Sequence, residues 1–362
     1  MSKLSCGIVG LPNVGKSTLF NALIKKQAAS ASNYPFCTID PNVGVVDVDD
    51  SRLRTLSQLS KSKKIIYAST TFVDIAGLVQ GASQGEGLGN KFLTNIRETD
   101  AILHVVRCFD DPEIIHVAGK VDPLNDITII NLELVLADLQ MAENSIEKIR
   151  KQAKSNKELQ HTVSVMEKVI AHLNQGLPVR SLLLSTEDTE SLKGLNFITA
   201  KPVIYVMNVA EGDWNNPFVK QVESFAKNEG SQTFQICARL EEELASLSPD
   251  DALLYLKELG MEQTGLDRLI KTVFYTLGLI TYITTGDIET RAWTVRAGAT
   301  APVAAGEIHS DIQKGFIRAE VVSFDDMVTY GGRTGAKEAG KARAEGKEYI
   351  VKDGDVILFF HN

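Results

Sequence analysis

The stretch Gly-Leu-Pro-Asn-Val-Gly-Lys-Ser at residues 10–17 constrains this chain more than any other feature. Apolar residues 4–9 before it predict a buried strand, and residues 18–24 after it predict the start of a helix. A strand, a glycine turn and a helix in this order aim backbone N–H groups and a helix N-terminus at an anion. The spacing G-x-x-x-x-G-K-S therefore predicts a phosphate-binding loop at the start of an α/β domain.

The residue types in this loop fit the chemistry of a triphosphate. Its glycines let the backbone curve closely around phosphates where a Cβ atom would clash. Lys16 can reach the β- and γ-phosphates and is counted as catalytic, and the Ser17 hydroxyl can ligate Mg²⁺. The residues expected to contact the nucleotide here are Asn13, Val14, Gly15, Lys16, Ser17 and Thr18.

Length, charge and cysteine content narrow the class of protein. The 362 residues suffice for about two to three domains. The net charge of −8 excludes a global basic field, so any contact with nucleic acid must be a local patch. The four cysteines lie far apart, which favours a reducing cytoplasm over disulfides or a zinc site. We expect no membrane partner, because no apolar run is long enough to span a bilayer.

The first part of the chain alternates strand and helix patterns. This alternation predicts a doubly wound sheet, with ligands bound at the carboxyl ends of its strands. The predicted strands after the phosphate loop are residues 43–48, 65–74, 101–107, 202–208 and 233–237.

Two further segments complete the predicted organisation. Apolar residues at 3-4 spacing in 132–153 and 159–173 predict an antiparallel coiled-coil hairpin inserted in the first domain. Beyond residue 279, short strand-like runs between Gly- and Asp-rich turns predict a small α+β domain. Within it, residues 331–347 are expected to be a mobile surface stretch. The predicted domains are 1–130 with 198–278, then 131–197, then 279–362.

The tip of the predicted hairpin is basic. Its cations are Lys148, Arg150, Lys151, Lys154 and Lys157. This cluster predicts a local RNA-binding patch on an acidic chain; the alternative is a solvated helix end without a partner.

Two later motifs favour a nucleotide switch. Asp74-Ile75-Ala76-Gly77 closes an apolar strand, so the Asp74 carboxylate can hold Mg²⁺ and the Gly77 N–H can contact a γ-phosphate. Thr38 lies between the first helix and the second strand, where a switch threonine ligates Mg²⁺. The alternative for Thr38 is an ordinary loop threonine.

The base is expected to be read after the strand 202–208. A guanine site carries N-K-x-D there, whose aspartate accepts from guanine N1–H and N2–H₂. This chain has Asn208 and then Val209 and Glu211 in place of the lysine and the aspartate. Poor pairing of those guanine donors should cost GTP a few kcal/mol. Cys237 and Ala238 occupy the place of a second loop whose backbone touches the base.

Together these motifs resemble those of the Obg-like ATPase (YchF) family. The carrying stretches are residues 10–17, 33–44, 74–89 and 208–211, and the similarity covers the whole chain. The resemblance implies ATP preferred over GTP, Mg²⁺ as cofactor, a C-terminal TGS domain of β-grasp type, and association with ribosomes or RNA. It leaves a monovalent cation such as K⁺ open.

The residue after the D-x-x-G motif indicates slow hydrolysis. Ras-like proteins have a glutamine there that orients the attacking water, whereas this chain has the apolar Leu78. His116 is the candidate replacement, and the family resemblance supports it as a water-orienting residue; the alternative is a surface-loop histidine. His104, inside the strand 101–107, is expected to be packed in the core.

Four functions remain open from the residues alone. The favoured one is a slow, Mg²⁺-dependent ATPase switch that presents its hairpin and TGS domain to a ribosome or RNA. The alternatives are an Obg-type GTPase, a nucleotide-gated binding module in which hydrolysis is incidental, and a phosphate-loop kinase. The kinase is disfavoured because the sequence has no arginine-rich lid.

Overall fold

The computed structural model describes residues 4–30, 42–75, 88–116, 119–156 and 158–362. The predicted site residues Thr38, Gly77, Leu78 and Lys157 lie outside these ranges. In chain order the strands are β1 (Ser5–Val9), β2 (Val43–Val48), β3 (Lys64–Ile66), β4 (Ala68–Asp74), β5 (Ala101–Arg107), β6 (Val203–Asn208), β7 (Gln232–Ile236), β8 (Leu279–Thr285), β9 (Glu289–Arg296), β10 (Phe316–Val322), β11 (Arg343–Glu345) and β12 (Val356–His361).

The helices begin with the one that follows the phosphate loop. In chain order they are α1 (Lys16–Ser30), α2 (Ser51–Ser60), α3 (Leu88–Arg97), α4 (Pro123–Ala153), α5 (Glu158–Leu173), α6 (Thr186–Leu192), α7 (Pro217–Glu229), α8 (Ala238–Leu244), α9 (Pro249–Glu258), α10 (Gly265–Thr276), α11 (Ala301–Ile308), α12 (Ser310–Lys314), α13 (Phe324–Thr329) and α14 (Arg333–Glu338). No helix in the described ranges is both long and apolar enough to cross a membrane.

The first sheet has the strand order β2-β4-β1-β5-β6-β7. Strand β1 pairs in parallel with β4 and β5, and β6 pairs in parallel with β5 and β7. Every residue of β5 and β6 is buried, as expected for central strands covered on both faces. The carboxyl ends of β1, β4, β5 and β6 therefore lie along one edge, which is where the doubly wound fold predicts a ligand.

The apolar run 65–74, predicted as one strand, forms two. Strand β3 pairs in parallel with β9, and β4 pairs in parallel with β1. The two strands belong to different sheets. Hydrophobic patterning gave no sign of this, because both strands bury one face and both therefore look apolar.

Helices α4 and α5 pack against each other along an apolar seam. Its buried members include Ala142 and Ile146 on α4 and Val165, Met166 and Val169 on α5. Helix α4 begins with a proline at its first turn, and the Asp122 side chain caps it by accepting from Asn125 N. Leu132, expected in the seam, is 47% exposed.

The second sheet is mixed, with the order β11-β10-β12-β8-β9-β3. Strand β12 pairs in parallel with β8, while β9 and β10 flank them as antiparallel neighbours. The apolar side chains of one face pack with alanines of α11. The surface stretch 331–347 includes α14 and the short edge strand β11, the latter paired with β10, and neither element was predicted.

Contacts between Cα atoms divide the chain into two compact units. The first comprises Met1–Lys26, Ile39–Gly44 and Thr71–Leu266. The second comprises Gln27–Thr38, Val45–Thr70 and Asp267–Asn362. The second unit therefore includes residues from the first part of the sequence as well as the C-terminal strands.

Candidate nucleotide site

The phosphate loop connects β1 to α1 with the expected conformation. Gly15 has φ +96°, and a Cβ atom there would overlap the Asn208 side chain, so glycine is needed for both reasons. A Cβ atom on Gly10 would lie 2.7 Å from the Val105 carbonyl oxygen. Asn13 has φ 62° and occupies the left-handed region that asparagine tolerates.

Lys16 and Asp74 meet at the carboxyl ends of β1 and β4. Lys16 Nζ lies 2.7 Å from Asp74 Oδ1, and both side chains are largely covered. Ser17 is exposed and Thr18 is half-buried, both in the first turn of α1. A hydroxyl and a carboxylate oxygen are hard ligands of the kind that Mg²⁺ prefers, so the residues present fit a magnesium ion.

Asn208 joins the phosphate loop to the loop at Cys237 and Ala238, called the Cys-Ala loop below, whose backbone is expected to contact the base. Its Nδ2 donates to the Val14 carbonyl at 2.9 Å, and its Oδ1 accepts from Ala238 N at 3.0 Å. The side chain is buried at the end of β6. Asn208 thus holds two loops in register, a role that the pattern Asn-Val-Ala-Glu did not reveal.

The other predicted base-site residues lie around this junction. Val209 and Ala238 are buried, and Glu211 is exposed. Burial raises the pKa of the Cys237 thiol, and the negative charge of Glu211 raises it further. The motif Asn-Val-Ala-Glu and the Cys-Ala loop therefore lie together, as a base-recognition site requires.

A loop after β5 carries His116 beside the phosphate loop. Asn13 Nδ2 donates to the Ile115 carbonyl at 3.1 Å. His116 itself is buried, and its Nε2 lies 3.0 Å from Oδ2 of Asp126 on α4. The alternative of a surface-loop histidine is therefore wrong for this residue.

Sequence reasoning missed the two charged partners of this loop, Arg107 and Asp126. Arg107 ends β5, is buried, and stacks on Phe109 with its Cζ 4.6 Å from the ring centroid. A charged residue closing an otherwise uncharged strand was the available signal for Arg107. Asp126 gave no such signal, because an acidic residue in a first helical turn is ordinary.

His104 is a core histidine, as predicted. Its ring centroid lies 5.4 Å from that of Tyr205. Burial lowers the pKa of His104 to about 3, and the positive charge of Arg180 contributes. His104 is therefore neutral at physiological pH and takes no part in the site.

The basic cluster at the end of α4 divides into paired and unpaired cations. Arg150 lies 3.1 Å from Glu147 and 2.8 Å from Glu167. Lys148, Lys151 and Lys154 are exposed, and within the described ranges none has a carboxylate within 4.0 Å. The lysines, and not the arginine, carry the uncompensated charge.

The fold and the loop geometry define a phosphate-loop NTPase with a GTPase-like α/β fold. Consistent with this, residues 5–168 match the family model described as 50S ribosome-binding GTPase. Residues 279–362 match the YchF-GTPase C-terminal family model, described as a protein of unknown function, DUF933.

Full-length similarity then gives the family. The chain is 54% identical over 359 residues to the protein named ribosome-binding ATPase YchF of Haemophilus influenzae, covering 99% of each. It is 50% identical over 364 residues to the protein of that name from Bacillus subtilis, again covering 99% of each. The solved Schizosaccharomyces pombe structure titled YchF GTPase matches with TM-score 0.90 and 38% identity, covering 99% of this chain and 98% of that one. The chain belongs to the YchF family.

Proposed function

We propose that this protein is a Mg²⁺-dependent ATPase that prefers ATP to GTP and associates with ribosomes in the cytoplasm. The observation that carries the proposal is the junction made by Asn208, which links the phosphate loop to the Cys-Ala loop. It supports a single nucleotide site that joins the Asn-Val-Ala-Glu motif and the Cys-Ala loop to the phosphate loop. Relatives at 54% and 50% identity that are named ribosome-binding ATPases support the same function.

The phosphates are bound by the loop residues Asn13, Val14, Gly15, Lys16, Ser17 and Thr18, together with the N–H of Gly77. Lys16 is paired with Asp74 in this structure. A triphosphate offers Lys16 a stronger anionic partner, so the lysine would exchange Asp74 for the phosphates and the carboxylate would become available to the metal. Ser17, Thr38 and Asp74 would hold Mg²⁺, which neutralises charge on the β- and γ-phosphates when bound.

Base selection falls to Val209, Glu211 and the backbone of Cys237 and Ala238. Adenine has no 2-amino group and presents an acceptor at N1, so an aspartate placed to accept two hydrogen bonds has no purpose. The longer Glu211 and the apolar Val209 therefore favour ATP.

Hydrolysis depends on His116 because Leu78 cannot orient water by hydrogen bonding. Lys16 stabilises charge on the transferred phosphoryl group, and His116 orients the attacking water. The position of the His116 loop beside the phosphate loop, through the bond from Asn13 to Ile115, supports this role. With a single histidine in place of the Ras-like glutamine, turnover is expected to be slow.

The ribosome or RNA contact is assigned to the helical hairpin and the C-terminal domain. The hairpin of α4 and α5 is proposed as an inserted coiled coil, residues 131–197, with Lys148, Lys151, Lys154 and Lys157 at its tip. The central parallel pairing of β8 with β12, flanked by antiparallel strands, supports a β-grasp TGS domain at 279–362. The nucleotide-binding domain is then 1–130 with 198–278.

Isothermal titration of the purified protein with ATP and GTP, each with Mg²⁺, tests the proposal. ATP should bind at least several-fold more tightly, since the guanine donors lack partners. The titration repeated in K⁺ and in Na⁺ tests a monovalent cation. The same preparation pelleted with ribosomes tests the partner.

A specific observation favours a second candidate, an Obg-type GTPase. The structure from S. pombe is titled a GTPase, and the matching family model at residues 5–168 is described as one. Equal or tighter binding of GTP in the same titration would establish this alternative and remove the preference for ATP.

A further inference from the structure

Arg107 is a buried cation whose guanidinium hydrogen-bonds to the loop that carries His116. Its Nε donates to the Phe109 carbonyl at 3.2 Å, Nη1 to that of Ile114 at 3.0 Å and Nη2 to that of Asp111 at 3.2 Å. No carboxylate lies within 4.0 Å of this guanidinium in the part of the chain that the structure describes. Burying a cation without an ion pair is costly. Here the three hydrogen bonds fix the path of one loop.

Asp126 holds the ring of His116 from the first turn of α4. The two side chains are 3% and 4% exposed, so the 3.0 Å bond between Asp126 Oδ2 and His116 Nε2 is shielded from water. Burial raises the pKa of the Asp126 carboxyl, and its Oδ1 has no hydrogen-bond partner among the described residues. A half-satisfied buried carboxylate destabilises the fold, which favours a functional reason for its presence.

The third interaction ties this loop to the phosphate loop. Because Asn13 donates to Ile115, the residue next to His116 is fixed to the place where a triphosphate binds. Three separate elements, namely the end of β5, the start of α4 and the phosphate loop, thus converge on residues 109–116.

We propose that Arg107 and Asp126 are positioning residues for His116 in ATP hydrolysis. Arg107 sets the course of the loop, and Asp126 sets the orientation and tautomer of the ring. When the carboxylate accepts from Nε2–H, the proton stays on that nitrogen and the lone pair is on Nδ1. The inference rests on the water-orienting role proposed above for His116.

The test compares Asp126→Asn, His116→Ala and the double variant with the wild-type full-length protein. Steady-state hydrolysis gives kcat, and titration with a non-hydrolysable ATP analogue gives affinity. An asparagine can donate to Nε2 and so favour the wrong tautomer. We expect Asp126→Asn to lower kcat about tenfold or more while affinity changes less than about twofold.

Asp122→Asn is the matched control. Asp122 is a carboxylate at the start of the same helix, and asparagine caps a helix as well as aspartate does, so kcat should be unchanged. The double variant should be no slower than His116→Ala, because Asp126 acts through that ring.

Three other results would contradict the proposal. If Asp126→Asn hydrolyses ATP at or above the wild-type rate, the positioning role is wrong. A further reduction in the His116→Ala background, equal to that in wild type, would make Asp126 merely structural. If His116→Ala itself turns over normally, the proposed role of His116 fails, and this inference fails with it.

Arg107→Lys tests the second positioning residue. Lysine keeps the charge, but an ammonium on a flexible stem cannot reproduce the fork that serves three carbonyls. The variant should lose kcat several-fold with affinity retained, provided that its Tm shows it folded. A folded Arg107→Lys protein with wild-type kcat would overturn the assignment for Arg107, while the Asp126 result stands by itself.

Discussion

Charged side chains at the phosphate-loop edge of the first sheet are held by partners, whereas those at the end of α4 project into solvent. Lys16 is 2.7 Å from Asp74, and Arg107 donates to three carbonyls. Lys148, Lys151 and Lys154 are exposed. A buried charge with a partner holds that partner in a fixed geometry. Removing one of the two leaves the other buried and unpaired, which destabilises the site. An exposed charge acts through its electrostatic field. Neighbouring charges of the same sign strengthen that field, and salt screens it.

The largest effect is expected from the partnered region. Lys16→Ala should reduce affinity for a non-hydrolysable ATP analogue about hundredfold or more, because no other cation in the loop reaches the β- and γ-phosphates. Lys25→Ala is the control on the same helix, since Lys25 is paired with Glu242 at 3.2 Å, away from the loop. Unchanged affinity in Lys16→Ala would show that the site is misassigned.

The exposed region should respond to salt. Replacing Lys148, Lys151 and Lys154 with Gln should weaken RNA or ribosome binding by roughly tens of fold. The slope of log K against log salt should become shallower by about 0.7–0.9 for each phosphate that is no longer neutralised. Binding measured across a salt series checks both, with nucleotide affinity unaffected.

Arg150→Gln sharpens this comparison within the cluster. Because Arg150 already faces Glu147 and Glu167, its removal should change the salt slope little. Equal effects of Arg150→Gln and of a single lysine replacement would contradict the distinction between paired and unpaired cations.

A neutral residue at the partnered edge gives a smaller effect. Asn208→Ala leaves the Val14 carbonyl and the Ala238 N–H without their bonds, which costs about 1–3 kcal/mol. ATP and GTP affinity should fall about equally, by roughly tenfold, because Asn208 aligns loops. Parallel titrations measure both; a reduction confined to one nucleotide would mean that Asn208 reads the base.

The smallest expected change in nucleotide binding concerns the choice of base. Glu211→Asp combined with Val209→Lys should shift the ratio of ATP to GTP affinity several-fold toward GTP, by restoring the guanine acceptor and the lysine. The two single variants serve as controls, and Tm is measured because Val209 is buried. A ratio that does not move would assign the selection to the backbone of the Cys-Ala loop.

Much of the fold followed from local patterns. The phosphate loop, the strands of the first sheet and helix α5 were predicted within a few residues, because each has a strong local periodicity or turn chemistry. Helix α4 was predicted from residue 132 but begins at Pro123. The strand within 331–347 was not predicted, because β11 is short and polar. Its strand form depends on pairing with β10, an interaction that no local pattern encodes.

The site shows the same division. Lys16, Asp74 and Asn208 were predicted because their motifs carry chemistry at fixed spacing. Arg107 and Asp126 were not, since their importance depends on which loop their side chains contact. Thr38, Gly77 and Leu78 lie outside the described residues and stay predictions.

By itself the sequence determined that this chain has a phosphate loop, and it predicted a metal carboxylate and a base motif altered away from guanine, because spacing along the chain sets that chemistry. The tertiary structure decided that β3 and β4 enter different sheets, that Asn208 ties two loops together and that His116 is buried against Asp126. The physical reason is that burial and hydrogen-bond partners depend on contacts between distant residues. Those contacts set the free-energy cost of burying a charge and the direction in which a side chain points.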